Sequence, residues 1–378
     1  MSETYIAGAG MVRFGKYPVD VTFEKLAVGA AREAMSDAGV STKDIESVYV
    51  GHVFGGPVAG QRVAAQMGLG GLPVSNHENY CASGATAIRE AWIAIKAGLY
   101  DIVLVIGAEK MTDRVSGGVM PDPTDLDAIN GLVMAANHGM SARRYMSDHG
   151  ATREQIAAVA VKNHAHSVHN PFAQYQRPIS LQEVVDARTI ADPLGLLDCS
   201  PISDGAAAVV LCSAAGLAKL GRSSAPRVAG CALVSGKIVT ADTNLNDEDV
   251  SRRAGEQAWD ITGYGPDDVD LVEMHDCFTI AEIVRLEASA SSPSARAVGG
   301  PRTVTPRSAA NSPSMPAVAS SVVDTRWVPP VSRKSASSPG NSLTVPVNGR
   351  STRRISGLPT ARGAPSAAPT AALSQYCW

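Results

Sequence analysis

The stretch EDVSRRAGEQAWDITGYGPDDVDLVEMHDCF, residues 248–278, decides the fold, because the chain has run through the same pattern once before. It resembles the earlier segment that ends IESVYVGHVF at residue 54, and the two are related by a constant offset of 224. Ala34 meets Ala258, Gly39 meets Gly263, Asp44 meets Asp268 and Val48 meets Val272. The repeat begins a little earlier, where RVAGCALVSG from Arg227 resembles the opening TYIAGAGMVRF from Thr4. A period this long means two similar halves, each a supersecondary unit.

Working outward, the first half reads as alternating strands and helices. TYIAGAGMVRF is a strand running into a glycine turn, and TFEKLAVGAAREAMSDAG has apolar residues at helical spacing with Gly39 as a C-cap. IESVYVGHVFG is a second strand, AGQRVAAQMGL a short helix, LPVSNHENYC a third strand or loop, ASGATAIREAWIAIKAG a long helix closed by Gly98, and DIVLVIGAEKM a buried strand. This alternation predicts an α/β layered fold with a largely parallel core sheet. Residues 112–195 break the pattern. They are rich in Met, His, Asn and Pro, carry a helix at TREQIAAVAVKNHAHSV, and read as an inserted, mostly helical loop domain. DGAAAVVLCSAAGLAKLG then returns to a strand and helix.

The chain has 378 residues, 45% of them hydrophobic, which suffices for a large buried core. No apolar run reaches the ~18 residues of a membrane span, and the N-terminus lacks a basic, then apolar, leader pattern. The six cysteines, at 81, 199, 212, 231, 277 and 377, form no CxxC pair, so neither a metal site nor a disulfide framework is expected, and the reduced cytoplasm is the expected compartment. No GxGxxG or P-loop signature is present, and the acidic body excludes a nucleic-acid binder. The net charge of −3 hides an asymmetry: residues 289–378 hold ten Lys/Arg and one acid, Asp324, leaving 23 basic and 35 acidic residues before them.

Two short motifs carry chemistry. In NYCASGATAIREAW, Cys81 stands at a strand-to-helix junction, where unpaired backbone N–H groups stabilise a thiolate, the nucleophilic form. Small residues after it, Gly84 among them, allow a thioester to approach the backbone. The alternative is a buried, inert cysteine. In EMHDCFTIAE, His275, Asp276 and Cys277 end an apolar strand, where α/β folds place ligand-binding residues; the alternative is a histidine that caps the next helix.

NYCASGATA, GMSARRYM, NPFAQYQRPIS, IADPLGLLDCSPISDGAAAVVL and HDCFTIAEI occur here in the order of the thiolase superfamily, and HDCF resembles its sterol-carrier-protein type, the acetyl-CoA acetyltransferases and 3-ketoacyl-CoA thiolases of lipid metabolism and fatty acid β-oxidation. The resemblance covers about residues 1–288. It implies a thiolase fold with two similar βαβαβ-type halves in a layered α/β/α/β/α arrangement. Residues 1–111 and 196–224 would form the N-terminal half, 112–195 the loop domain, and 225–288 the start of an incomplete second half. It implies an acyltransferase that cleaves 3-ketoacyl-CoA with CoA, or runs the reverse condensation, through an acyl-cysteine, with CoA as substrate, no separate cofactor and no metal. Carried over residue by residue, Cys81 is the nucleophile, His275 part of an oxyanion hole, and Cys277 the acid/base of the carbon–carbon step. Ser200 would line the pantetheine channel, His138 and Met140 would belong to the loop over that channel, and Gly84 would admit the thioester. A homodimer or homotetramer without nucleic-acid or membrane partners is implied. Two other functions compete: a carbon–carbon lyase acting on steroid or branched acyl-CoA side chains, and a non-catalytic acyl-CoA or lipid carrier.

The chain departs from the family after residue 288. Thiolases carry Asn-x-Ser-Gly-Gly followed by Gly-His-Pro-x-Gly-Ala-Thr-Gly, whose histidine activates the nucleophile, yet all eight histidines here lie at or before 275. Joining the last base of each codon to the first two of the next forces Gly at Trp327–Val328, Ala at Met315–Pro316 and His or Tyr at Asp324–Thr325. From Ser314 to Val331 the shifted frame admits Asn-Ala-Ser-Gly-Gly-Leu-x-x-Arg-Gly-His-Pro-Val-Gly-Ala-Thr-Gly. Residues 289–378 therefore read as a frameshifted thiolase C-terminus, an aberrant tail expected to be disordered over most of its length, and this chain is expected to be an impaired enzyme. The competing reading is a genuine basic tail that binds anions.

Overall fold

The computed structural model describes residues 2–120, 122–236, 244–290 and 370–374. The first half runs β1 (Thr4–Met11), α1 (Phe23–Ala38), β2 (Ser47–Gly51), α2 (Ala59–Met67), β3 (Val74–His77), α3 (Ser83–Lys96) and β4 (Ile102–Lys110). The insertion holds α4 (Leu126–Ile129), α5 (Met134–His149), α6 (Arg153–Ser167), α7 (Leu181–Val185) and a small hairpin, β5 (Thr189–Ala191) with β6 (Leu194–Gly195). Then come β7 (Asp204–Ser213), α8 (Ala214–Lys219), β8 (Arg227–Ala232), α9 (Asp249–Thr262), α10 (Thr279–Ala290) and β9 (Thr370–Ser374).

The repeat is visible in detail. Thr22 caps α1 by accepting from Lys25 N, and the helix ends at Gly39 with φ +72°. Its counterpart α9 ends at Gly263, also with φ +72°. Each is a left-handed C′ position that a Cβ would strain. Just beyond, Ser41 N donates to Asp44 Oδ2 at 2.7 Å, and at the equivalent place Gly265 N donates to Asp268 Oδ2 at 2.8 Å. The halves diverge after this. Val48 lies in β2, a five-residue strand buried throughout. Its counterpart Val272 belongs to no ladder strand among the described residues.

Seven strands form one sheet in the order β3-β2-β4-β7-β1-β8-β9. The expectation of a largely parallel sheet is corrected here. β2 runs parallel to β3 and β4, but β7 is antiparallel to both β4 and β1, and β1 is antiparallel to β8. The insertion is the cause. It leaves at Lys110 and returns at Asp204, and these residues are paired across the ladder. A chain that re-enters at the end it left must run antiparallel.

β4 and β7 are buried at every residue. Their alternate side chains feed two cores. Leu104, Ile106, Ala208 and Val210 pack with Leu26, Ala30, Ala34 and Met35 of α1, while Val103, Val105, Val209 and Leu211 pack with Ile88, Trp92 and Ile95 of α3. A third cluster joins the insertion to the second half: Ala142 of α5, Ile156 of α6 and Leu194 meet Phe278, Ile280, Ala281 and Val284 of the α10 region. That contact fixes where HDCF sits. The disorder expected over most of residues 289–378 lies outside the described residues, apart from the last two residues of α10 and β9. β9 runs parallel to β8, a strand unforeseen in the tail.

The base of the insertion is tied by one carboxylate. Asp204 Oδ1 accepts from Thr112 N at 2.8 Å, and Oδ2 accepts from Lys110 Nζ at 2.9 Å, Thr112 Oγ1 at 2.6 Å and Tyr17 N at 3.0 Å. Burial opposes this charge, but the bonds from Thr112, Lys110 and Tyr17 outweigh it and hold the Asp204 carboxyl below the usual range. Asp204→Ala would leave the Lys110 ammonium, 5% exposed, with the more exposed Asp113 as its remaining carboxylate, 3.0 Å away. We expect a loss of about 2–4 kcal/mol in urea unfolding at neutral pH. Because the folded pKa is depressed, this contribution exists above the unfolded carboxyl value and fades as pH falls through the folded one. The gap between wild type and variant should close in acid; a gap below about 1 kcal/mol at neutral pH contradicts the assignment.

Candidate active site

Cys81 lies on the one-turn 3-10 helix Tyr80–Ala82, between the end of β3 and the start of α3. The turn is tight. Tyr80 has φ +43°, a conformation that costs a non-glycine residue of order 1–3 kcal/mol. Ser83 Oγ holds it, accepting from Asn79 N at 2.8 Å and donating to Tyr80 O at 2.7 Å. The end of β2 presses against this junction: a Cβ on Gly51 would stand 2.6 Å from Gly84 N and 2.5 Å from Ser83 O. Gly84 is thus a buried first-turn residue of α3. Cys81 itself is partly exposed.

The structure brings three further predicted residues to this point. His275, Cys277 and His138 come from two parts of the chain and meet where α5 packs on the start of α10. The His138 ring stacks on Phe278 with centroids 4.2 Å apart. Its Nδ1 lies 2.9 Å from Met134 O, so that nitrogen carries a proton and donates to the carbonyl. Nε2 then faces Cys277 Sγ at 3.6 Å. His138, 4% exposed, is seated against the second cysteine rather than over an open channel. Burial opposes a charge on His275, but the Cys81 and Cys277 sulfurs facing it prevail and push the imidazole up to about 10. Its Nε2 is buried and makes no hydrogen bond of normal geometry.

Two other predicted residues sit at the margin. Ser200 is exposed, and its backbone N donates to Cys277 O at 3.0 Å, which keeps it beside the second cysteine. Met140, two residues past His138 on α5, is 46% exposed and turned outward.

Sequence reasoning missed the groups beneath. Arg285 of α10, 3% exposed, donates through Nη1 to His275 O at 2.8 Å and to Cys277 Sγ at 3.7 Å. Burial would raise the Cys277 thiol, yet the charges of Arg285 and His138 bring it well below the ordinary thiol value. Asn163 Nδ2 bridges two carboxylates, Asp276 at 2.6 Å and Glu282 at 3.1 Å, and Lys162 pairs with Glu282. Burial and the charge of Glu282 push Asp276 up to about 7. The available signal was TIAEIVRL, where Glu282 and Arg285 share the inward face of an otherwise apolar helix. Cys199, by contrast, is pushed up to about 12 by burial and by Asp198, and is no nucleophile at neutral pH. A surface cavity lined by Arg32, Met35, Val40 and Met67 lies in the α1–α2 layer, away from Cys81.

A helix-start cysteine facing a histidine that also faces a second cysteine is the arrangement expected for acyl transfer on thioesters. The family model for the thiolase N-terminal domain matches residues 4–215, and a thiolase C-terminal domain-like model matches 232–298. The chain belongs to the thiolase family. It is an acyl-CoA acyltransferase by that membership, with relatives of the sterol-carrier type among its homologues. It is 38% identical to the benzoylsuccinyl-CoA thiolase subunit BbsB of Thauera aromatica, over 75% of this chain and 74% of that one. Against the acetyl-CoA acetyltransferase of Methanothermobacter thermautotrophicus it is 37% identical over 76% of this thiolase and 77% of the relative. Against sterol carrier protein 2 of Oryctolagus cuniculus it is 32% identical over 76% of this chain but 56% of the relative. Among solved structures, an Ltp2-ChsH2(DUF35) aldolase superposes with TM-score 0.64 and 28% identity, covering 77% of this thiolase and 78% of that chain. None of the described helices is long and apolar enough to cross a membrane.

Proposed function

We propose that this thiolase transfers an acyl group between 3-ketoacyl-CoA and CoA through a thioester on Cys81, releasing acetyl- or propionyl-CoA and a shortened acyl-CoA, or runs the condensation in reverse. The observation that carries this reading is the meeting of the His275 imidazole with both sulfurs, that of Cys81 at the start of α3 and that of Cys277 beside α10. In the synthetic direction the acyl group rests on Cys81. The Cys277 thiolate takes a proton from the α-carbon of a second acyl-CoA: the C–H bond breaks, an S–H bond forms, and the electron pair moves onto the thioester oxygen. His275, charged at neutral pH, donates from Nε2 to that oxygen. The enolate carbon then attacks the acyl carbonyl, and the bond to Cys81 breaks with the pair returning to sulfur. Gly84, at the start of α3, lets the acyl carbonyl approach backbone N–H groups, and Ser200 and Met140 border the pantetheine arm. His138 serves Cys277 more directly than it serves the pantetheine.

Within this reading the chain is a slow enzyme, because no histidine follows residue 275 to activate Cys81. The complete enzyme assembles as a homo-oligomer. A second reading is favoured by the 28% identity to an aldolase: a retro-aldol cleavage of acyl-CoA side chains, which needs no acyl-cysteine. The two separate by co-substrate. The frame-restored chain should consume acetoacetyl-CoA only when CoA is supplied. Cleavage of a 3-hydroxyacyl-CoA without CoA, with acetoacetyl-CoA untouched, would replace acyl transfer by lyase chemistry. Binding of acyl-CoA without either turnover would leave a carrier.

A further inference from the structure

We propose that Arg285 is a positioning residue for the carbon–carbon step: its guanidinium ties the His275 carbonyl to the Cys277 sulfur and keeps that sulfur an anion ready to take the α-proton. The proposal rests on the acyl-transfer reading above but concerns a side chain that the motifs do not include. An arginine is costly in a core unless anions meet it. Here it lies among the buried residues of α10 with Ile280, Ala281, Val284 and one acid, Glu282, and it is 3% exposed. One nitrogen, Nη1, reaches both His275 O at 2.8 Å and Cys277 Sγ at 3.7 Å. From the other side Glu248, at the start of α9, places Oε2 3.8 Å from Arg285 Nε. Glu248 is itself held by Ser251 Oγ at 2.9 Å. The guanidinium is thereby pinned between α9 and the HDCF turn. A lysine ammonium, a point charge without a planar fork, cannot make this span in the same way.

The ionisable groups facing the Cys277 sulfur come from every element around it. His138 approaches from α5 at 3.6 Å. His275 lies on the same turn, and Arg285 lies on α10. The other titratable groups nearby are the thiols of Cys81 and Cys199, the carboxyl of Asp276 and, through Arg285, Glu248. The positive groups are the ones in direct contact, and their charges hold the thiol well below its ordinary value. This gives a division of labour. His138 faces the sulfur through Nε2 at 3.6 Å, while Arg285, which cannot lose its own proton, supplies a charge that persists through the cycle.

The test reads the sulfur directly in the full chain, without substrate. The ultraviolet absorbance of thiolate is titrated against pH for wild type and for each Arg285 variant, and subtraction of the matching Cys277→Ala protein isolates one thiol. Wild type should show the Cys277 inflection clearly below about 8.5, the ordinary thiol value. Arg285→Met should raise it by about one to three pH units. Arg285→Lys, which keeps the charge but loses the span, should raise it by a smaller amount. An inflection unmoved in folded Arg285→Met overturns the proposal, because a merely structural arginine would alter stability and leave the titration in place. Should the methionine variant fail to fold, the lysine variant decides: an inflection identical to wild type overturns the proposal. Failure of Cys81 to accept an acyl group would refute the acyl-transfer reading instead, and it leaves this titration to be scored independently.

Discussion

Thiolysis of acetoacetyl-CoA should rise by about two to four orders of magnitude when the residues after Glu287 are replaced by those of the alternate reading frame, the range that a positioned general base contributes. Cys81 sits on the strained turn that leads into α3, and it faces His275. His275 is charged at neutral pH and cannot also act as a base toward the thiol. A second imidazole is needed, and the encoded chain has none beyond residue 275. The shifted frame admits one in the codons for Asp324 and Thr325, within a run that keeps register from Ser314 to Val331. Sequencing the gene over those codons checks the premise, and side-by-side rate assays check the consequence. Equal rates for the two proteins would show that Cys81 needs no further base.

Cys277→Ala in the frame-restored chain should slow exchange of the α-protons of acetyl-CoA with deuterated water by about 10²–10⁴-fold while acylation of Cys81 stays within about tenfold of wild type. The split follows from where the two sulfurs stand. Cys81 belongs to the α3 junction, whereas Cys277 is held from α5 and α10 by His138 and Arg285. A sign can be attached to the pH dependence. Cys81 and Cys277 together push His275 up to about 10 against burial. Removing Cys277 removes one of those charges, so the alkaline limb of the remaining activity, which reports loss of the His275 proton, should move to lower pH. Equal loss of exchange and acylation would mean that Cys277 supports the site as a whole rather than the proton transfer.

What could be read from the sequence was what local chemistry determines. Gly39 and Gly263 end their helices in the same left-handed conformation, and Asp44 and Asp268 close the same turn, because each device is complete within a few residues. Cys81, His275 and Cys277 were visible as motifs, although among the described residues no strand forms ahead of His275, where the sequence pointed to one. Strand direction was not legible. Whether β7 runs with or against β4 depends on where an insertion of ninety-odd residues re-enters, and Asp204 settles that only through its contacts with Lys110, Thr112 and Tyr17. The seating of His138 on Cys277 was hidden for a similar reason, since 139 residues separate them. Arg285 left a trace, a charge on an apolar helix face, but no periodicity says which anion it meets.

The most direct measurement of the central claim is a mass spectrum of the frame-restored protein incubated with acetoacetyl-CoA in the absence of CoA and digested under acidic conditions. The account predicts one acetyl group on the peptide that contains Cys81, lost on addition of CoA and absent from Cys81→Ala. An acetyl group found on Cys277 instead, or turnover with no acylated cysteine at any time, would contradict it.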